Sequence, residues 1–199
     1  ARFRRAVGFD LGSRPRRQFA SVTLINIGVL RGYRWHYLAR IWRTPVVGEV
    51  FMRMTNLPAL RLVLRHGNSR GLARDVLVRI CRDYQDPAVQ RAVLRLYRAT
   101  DTPARAADLH QRLLSLDRPA LVVWGARDPY VPVRYAEQQR ETFPHAEVVV
   151  LPDSGHWPMI DDPAAVEVPV LRFLSVATGN PAAIPVVEQG RNGKPGRTR

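Results

Sequence analysis

The sequence has few of the residues that indicate a secreted, metal-binding or membrane-spanning protein. Its one cysteine, Cys81, excludes an internal disulfide framework. No apolar run approaches the ~20 residues that a membrane span needs, and no apolar signal-peptide segment follows the basic first residues. Neither a cluster of metal ligands nor a phosphate-binding loop occurs. We therefore expect a cytoplasmic protein with no metal, no cofactor and no membrane partner.

Acidic residues are also scarce, with 17 against 31 basic ones, and the net charge is +14. A charge of this size is typical of nucleic-acid-binding proteins. However, all basic residues except Lys194 are arginines, and they are spread along the whole chain. No motif combines aromatic and basic residues in a recognition pattern. We therefore expect a solvated basic surface, a small-molecule substrate and no nucleic-acid partner, and the sequence leaves the oligomeric state open.

Two short apolar segments, each followed by a polar loop, organise the second half of the chain. The segment 120–124 has no polar face, which is typical of a strand buried in a parallel sheet, and 147–151 is a second apolar strand. Helical composition at 133–143 separates them, so both loops should open at the same edge of the sheet. Asp128 follows the first strand and His156 the second. A carboxylate there can hold an imidazole in one tautomer, so the spacing predicts an Asp–His pair.

The segments around these two residues resemble those of a known family. Val-Val-Trp-Gly-Ala-Arg-Asp-Pro-Tyr-Val-Pro and Asp-Ser-Gly-His-Trp-Pro are similar to the acid and histidine segments of the α/β-hydrolases, especially the epoxide hydrolase and haloalkane dehalogenase branch. The family's chain order is nucleophile, acid, histidine. The resemblance implies that Asp128 is the catalytic acid and His156 the general base, with Trp157 next to the substrate.

The same resemblance implies a nucleophile near the start of the chain. Gly8-Phe9-Asp10-Leu11-Gly12 fits the Gly-x-nucleophile-x-Gly elbow, with Asp10 as the nucleophile. An ester hydrolase is expected to carry serine there, and Ser13 lies three residues too late. Family dehalogenases bind halide with a tryptophan directly after the nucleophile, whereas this chain has Leu11, which ranks dehalogenation lower. Pro15 disrupts the short segment in which the family has a full helix after the elbow.

Residues 29–116 have helical patterns, and this insertion lies where the family carries its cap. Lids of this kind close over the site and exclude water. In epoxide hydrolases, cap tyrosines donate hydrogen bonds to the epoxide oxygen. Tyr97 is the first choice for this role, since it ends an amphipathic helix. Tyr84, Tyr37 and Tyr33 are the other tyrosines of the region.

The predicted fold class is α/β: a partial α/β-hydrolase fold, mostly parallel sheet, with a helical cap insertion. Residues 1–28 are interpreted as a remnant of the elbow and its following strand, 29–116 as the cap, 117–176 as core strands and helices, and 177–199 as a disordered tail. The family's elbow follows the fifth of about eight strands, but here it begins at Gly8. The sequence therefore predicts an incomplete hydrolase with an unpaired apolar strand edge and little activity.

These observations support two classes of function. The first is hydrolysis of a small epoxide, halide or ester, in which Asp10 attacks carbon and His156, oriented by Asp128, activates water. The alternative is an inactive truncated remnant of a hydrolase, or a binding module that keeps the half-sheet and cap without the chemistry.

Overall fold

A three-stranded parallel sheet lies at the centre of the part of the chain that the structure describes. This structure is a computed structural model, and it describes residues 19–68, 70–100 and 102–179. The strands are β1 (Val22–Ile25), β2 (Ala120–Gly125) and β3 (Glu147–Leu151), in the order β1-β2-β3. Val22 pairs with Ala120, and Leu121 pairs with Glu147. The carboxyl ends of all three strands therefore meet at one edge.

Strand β2 is the middle strand because every one of its residues is apolar or glycine and every one is buried. Val122 and Trp124 face a large apolar core that includes Leu24. Leu121 and Val123 face the opposite side, against Val166 and partly buried apolar side chains. A strand with two buried faces is the parallel arrangement that the continuous apolar run predicts.

Six helices lie between β1 and β2 along the chain, and no strand occurs among the described residues of this segment. We call them the helical insertion. Two of its helices begin with a capping side chain and a proline: Asn56 and Asp86 accept hydrogen bonds from the first turns that they cap, and proline follows in each first turn. The helices are α1 (Tyr37–Arg43), α2 (Val47–Arg53), α3 (Leu57–Gly67), α4 (Arg74–Gln85), α5 (Pro87–Ala99) and α6 (Thr102–Leu114).

The elements after β2 complete the described structure. They are α7 (Arg134–Gln138), a 3₁₀ turn (Gln139–Glu141), β3, α8 (Pro158–Asp161) and α9 (Pro163–Thr178). Asp162 caps α9 by accepting a hydrogen bond from Ala165 N. None of the helices in the described ranges is both long enough and apolar enough to cross a membrane.

The structure corrects three boundaries. The helix expected over 133–143 is only five residues long, because the chain tightens into the 3₁₀ turn. Strand β1, predicted to continue to residue 28, ends at Ile25, since Asn26 has a φ of 48°, which no strand residue adopts. Helix α9 continues to Thr178, two residues into the predicted tail, and Gly179 ends it in the left-handed conformation. The remainder of the tail lies outside the described residues.

Candidate functional site

Asp128 lies in the loop after β2 with its side chain fully buried. Its Oδ1 accepts backbone hydrogen bonds from Tyr130 N at 2.7 Å and Val131 N at 3.0 Å. Its Oδ2 accepts a side-chain hydrogen bond from Asn26 Nδ2 at 2.7 Å and lies 2.8 Å from His156 Nδ1. Four partners satisfy both oxygens, so the carboxylate is fixed in one orientation.

The loop after β3 brings His156 to this carboxylate. A carboxylate can only accept, so Nδ1 of His156 donates the hydrogen bond and carries the proton. In the neutral ring, Nε2 then has a free lone pair and can accept a proton. The side chain is 30% exposed, unlike that of Asp128. The pair thus combines a buried orienting carboxylate with an imidazole that solvent or a ligand can reach.

Burial acts to raise the pKa of Asp128, because the charged form loses its hydration. The His156 ring and the hydrogen bonds from Val131 N and Asn26 act in the opposite direction and outweigh burial. The pKa of Asp128 therefore lies below its usual value. The carboxylate stays ionised at neutral pH, which is the state that accepts from Nδ1.

Asn26 is a third residue of this site, and the sequence patterns do not identify its role. Besides Asp128, its Nδ2 donates to Gly155 O at 3.2 Å, and its Oδ1 accepts from Gly125 N at 2.7 Å. One buried amide therefore joins the ends of all three strands. The signal was available: Asn26 directly follows β1, as Asp128 and His156 follow β2 and β3, and polar residues at this edge are site candidates.

Close backbone contacts hold the His156 loop between the sheet and the helical insertion. A side chain on Gly125 would place its Cβ 2.1 Å from Gly155 O, and one on Gly155 would place it 2.1 Å from Gly67 O. The backbone N–H of His156 donates to Gly67 O at 2.7 Å, and Asn68 Nδ2 donates to Trp157 O at 3.2 Å. The end of α3 therefore helps to position the histidine.

A cavity of about 120 Å³ opens beside His156, under the helical insertion. Trp157 and Tyr97, both expected next to the substrate, line it together with Tyr84. Tyr33 and Tyr37 are not part of its wall; Tyr33 donates to Tyr130 O at 3.0 Å, and Tyr37 is largely exposed. A larger surface groove of about 650 Å³ is formed by α4 alone and lies away from the pair. The remaining lining residues of the smaller cavity are His36, Leu38, Trp42, Leu60, Val63, Leu64, Gly67, Asn68, Ile80 and Tyr130.

Tyr97 is held in this wall by its neighbours. Its ring centroid lies 4.7 Å from that of Trp42, and the guanidinium of Arg43 donates to its backbone carbonyl. Burial, with a smaller effect from Tyr84, raises the pKa of Tyr97 to about 12. The hydroxyl is therefore protonated at neutral pH and can donate a hydrogen bond into the cavity.

The predicted nucleophile Asp10 and its neighbour Leu11 lie outside the described residues, so their placement relative to the pair stays a prediction. Within the described ranges, no group of three or more His, Cys, Asp or Glu side chains could hold a metal ion. The catalytic roles of Asp128 and His156 also remain predictions, although the structure brings the two side chains together.

Sequence comparison finds relatives that cover part of this chain. A profile of the alpha/beta hydrolase fold matches residues 66–163. A functionally uncharacterised protein of Mycobacterium tuberculosis is 30% identical over 126 residues, which form 59% of this chain and 37% of that protein. The pimeloyl-[acyl-carrier protein] methyl ester esterase of Pectobacterium atrosepticum is 38% identical over 69 residues, 35% of this chain and 27% of the enzyme.

Solved structures agree with the profile. The 2-hydroxy-6-oxo-6-phenylhexa-2,4-dienoate hydrolase of Rhodococcus sp. strain RHA1 matches at a TM-score of 0.61 with 20% identity, over 77% of this chain and 54% of that one. Haloalkane dehalogenase DbeA of Bradyrhizobium elkani matches at a TM-score of 0.62 with 21% identity, over 80% of this chain and 60% of the dehalogenase. Identities this low show the fold alone. The chain spans little more than half the length of these two proteins.

Proposed function

The chain has the α/β-hydrolase fold, and from this premise we propose that it hydrolyses a small, uncharged organic substrate with Asp128 and His156. The observation that carries the proposal is the pair at the strand edge: a fully buried carboxylate 2.8 Å from an imidazole that borders a cavity. The reactive Nε2 of His156 is left free by this hydrogen bond. A base positioned in this way accelerates proton transfer by ~10²–10⁴-fold.

The proposed reaction has two steps. A carboxylate oxygen of Asp10 attacks an electrophilic carbon of the substrate and forms an ester, while the carbon–oxygen bond of an epoxide or the carbon–halogen bond of a halide breaks. Nε2 of His156 then removes a proton from water, and the resulting hydroxide attacks the ester carbonyl. The imidazolium gives its proton to the departing alkyl oxygen, the product alcohol leaves, and the Asp10 carboxylic acid loses a proton to restore its carboxylate. For an epoxide this proton balances the one taken up by the alkoxide that ring opening forms, and for a halide it leaves with the halide ion. Asp128 stabilises the imidazolium between these events.

The cavity wall supports the choice of an uncharged substrate. Its described lining contains no arginine, lysine, aspartate or glutamate, although the chain carries a charge of +14. A charged substrate would lose its hydration here without a counter-ion, which costs several kcal/mol. Tyr97 and Tyr84, both half-buried, bring two hydroxyl donors to the same wall. Such donors favour an epoxide, whose oxygen gains negative charge when the ring opens.

Ester hydrolysis is the second candidate, because three of the matched relatives are named esterases, those of Pectobacterium atrosepticum, Yersinia enterocolitica and Escherichia coli. It requires attack on a carbonyl carbon, and the predicted nucleophile Asp10 suits this reaction less well than serine. We therefore rank epoxides first, esters second and halides third. We propose the helical insertion as the cap that shields whichever substrate is cleaved.

The test is a substrate panel with a matched histidine control. The 199-residue chain is incubated with styrene oxide, phenyl acetate and 2-phenylethyl bromide, and product formation is followed by chromatography. The proposal predicts turnover of at least one compound and a loss of ~10²-fold or more in His156→Ala, the contribution of a general base. His145, whose side chain is 78% exposed, provides the control: His145→Ala should keep the full rate.

Two results would overturn the proposal. Equal rates in His156→Ala and His145→Ala would show that the hydrolysis does not use the pair. Absence of turnover with all three compounds, together with measurable binding of them, would favour the alternative of a binding module without the chemistry.

A further inference from the structure

His36 is a second histidine in the wall of the cavity that His156 borders, and the proposed mechanism gives it no role. It directly precedes α1 and serves as the N-cap of that helix. Its ring centroid lies 5.0 Å from that of Tyr130, and the ring of His156 lies 5.0 Å from the same tyrosine. One tyrosine ring thus contacts both imidazoles.

The helix cap determines which nitrogen of His36 carries the proton. Nδ1 accepts a hydrogen bond from Ala39 N at 3.2 Å, so Nδ1 must present a lone pair to the backbone N–H. In a neutral imidazole the other nitrogen then carries the hydrogen. Capping therefore makes Nε2–H of His36 a donor, whereas the bond to Asp128 makes Nε2 of His156 an acceptor.

The surroundings keep this donor uncharged and without a partner. Burial, with a smaller contribution from His156, lowers the pKa of His36 to about 4. Among the described residues, Nδ1 is the only ring nitrogen of His36 with a hydrogen bond. The neighbouring rings are those of Trp35, Trp42 and Tyr97, whose faces suit an apolar or aromatic ligand.

We propose that Nε2–H of His36 forms a binding subsite for an uncharged acceptor oxygen, a carbonyl, ether or hydroxyl oxygen, on an aromatic or apolar substrate. The subsite deepens the proposed function, because the substrate that it orients is the one that His156 would act on. The acceptor oxygen binds beside Tyr130, whose ring contacts both imidazoles. A substrate that lacks the oxygen leaves this half-buried donor without a partner, which lowers the affinity of the substrate.

The test uses two unreactive ligands of the same shape, so that it does not depend on turnover. Acetophenone and α-methylstyrene differ only by a carbonyl oxygen in place of a methylene group. Their dissociation constants are measured by calorimetry on the full 199-residue chain. We expect acetophenone to bind about fivefold more tightly, which corresponds to about 1 kcal/mol for one neutral hydrogen bond.

His36→Asn separates the two roles of the residue. Asparagine is a good N-cap, so the helix and the free energy of unfolding should be retained, while the shorter amide does not reach the position of Nε2. The variant should bind both ligands equally. His66→Asn is the matched control: His66 lies in the same insertion, with its ring 6.1 Å from that of Tyr130, but is not part of the cavity wall. It should keep the fivefold preference.

Nitrogen-15 spectra of the histidine rings provide a second readout on the unmodified chain. They should show His36 as the neutral Nε2–H tautomer at pH 7, and acetophenone should shift its Nε2 resonance. Equal affinities of the wild-type chain for the two ligands, or an Nδ1–H tautomer, would overturn the subsite. Ligand preference as expected without any hydrolysis would support the subsite and refute only the proposed function.

Discussion

Replacing Asn26 by aspartate tests how tightly the three strand ends are coupled. The change keeps the size of the side chain and the oxygen that accepts from Gly125 N, but it puts a carboxylate oxygen where Nδ2 now lies, 2.7 Å from Asp128 Oδ2. Two charges at this distance repel by about 6 kcal/mol at an effective dielectric constant of about 20. Both groups cannot then be ionised at neutral pH, and the pair retains one proton.

The sign of the pH dependence follows from this proton. Repulsion of about 6 kcal/mol corresponds to about 4 pKa units, so the folded pair takes up a proton at an apparent pKa near ~8, against ~3.9 for an unfolded aspartate. The folded chain therefore binds this proton more tightly than the unfolded chain, and the free energy of unfolding falls as the pH rises from ~3.9 to ~8. Asn26→Asp should therefore be markedly less stable at pH 8 than at pH 5.

Urea unfolding at pH 5 and pH 8 measures the effect. Asn26→Gly is the control, since glycine accepts the positive φ of this position and removes the same hydrogen bonds without adding a charge. Its loss of unfolding free energy, relative to the wild-type chain, should be the same at both pH values. If Asn26→Asp also lost the same free energy at pH 5 and pH 8, the described contact between residue 26 and Asp128 would be wrong.

Three further predictions concern the same site. Asp128→Asn should lower the rate of any substrate that is turned over by ~10⁴-fold at constant pH, because an amide favours the wrong tautomer of His156; an unchanged rate would contradict the pairing. Gly155→Ala should lower the unfolding free energy by about 2 kcal/mol or more in urea, since its Cβ would lie 2.1 Å from Gly67 O; a neutral effect would contradict the close contact. The pKa of His36 is lowered to about 4, so the unfolded chain binds a proton on this ring at a higher pH than the folded chain does, and the unfolding free energy of the wild-type chain should fall as the pH falls from ~6.5 towards about 4. His36→Asn should show a smaller fall over the same pH range, and an equal fall would refute the half-buried neutral histidine.

The parts of this site that the sequence predicts are those that local rules determine. Asp128 and His156 follow apolar runs that form neighbouring parallel strands, and the rule that parallel strands end at one edge brings them to 2.8 Å. Proline after a capping residue likewise predicts the starts of α5 and α9. Each of these inferences needs only one helix, or two strands that follow one another along the chain.

The parts that the sequence does not predict depend on contacts between distant segments. The sequence favours a strand that continues through Asn26, because its neighbours do not indicate a positive φ. Its place after β1 makes it a site candidate, but does not reveal its contact with a carboxylate 102 residues away. His36 has an ordinary capping position, and only the packing of Tyr130 against it places it in the cavity wall. Gly67 interrupts a helical pattern, but its contact with Gly155 follows from the docking of α3 on the sheet edge.

Trapping of the covalent intermediate tests the central claim most directly. In His156→Gln the first step can proceed but the ester should not be hydrolysed, so incubation with styrene oxide should increase the intact mass by one substrate molecule. Peptide mapping should place the added mass on Asp10, and the double variant Asp10→Asn/His156→Gln should remain unmodified. An adduct on another residue, or no adduct from a chain whose wild-type form hydrolyses styrene oxide, would contradict the proposed mechanism.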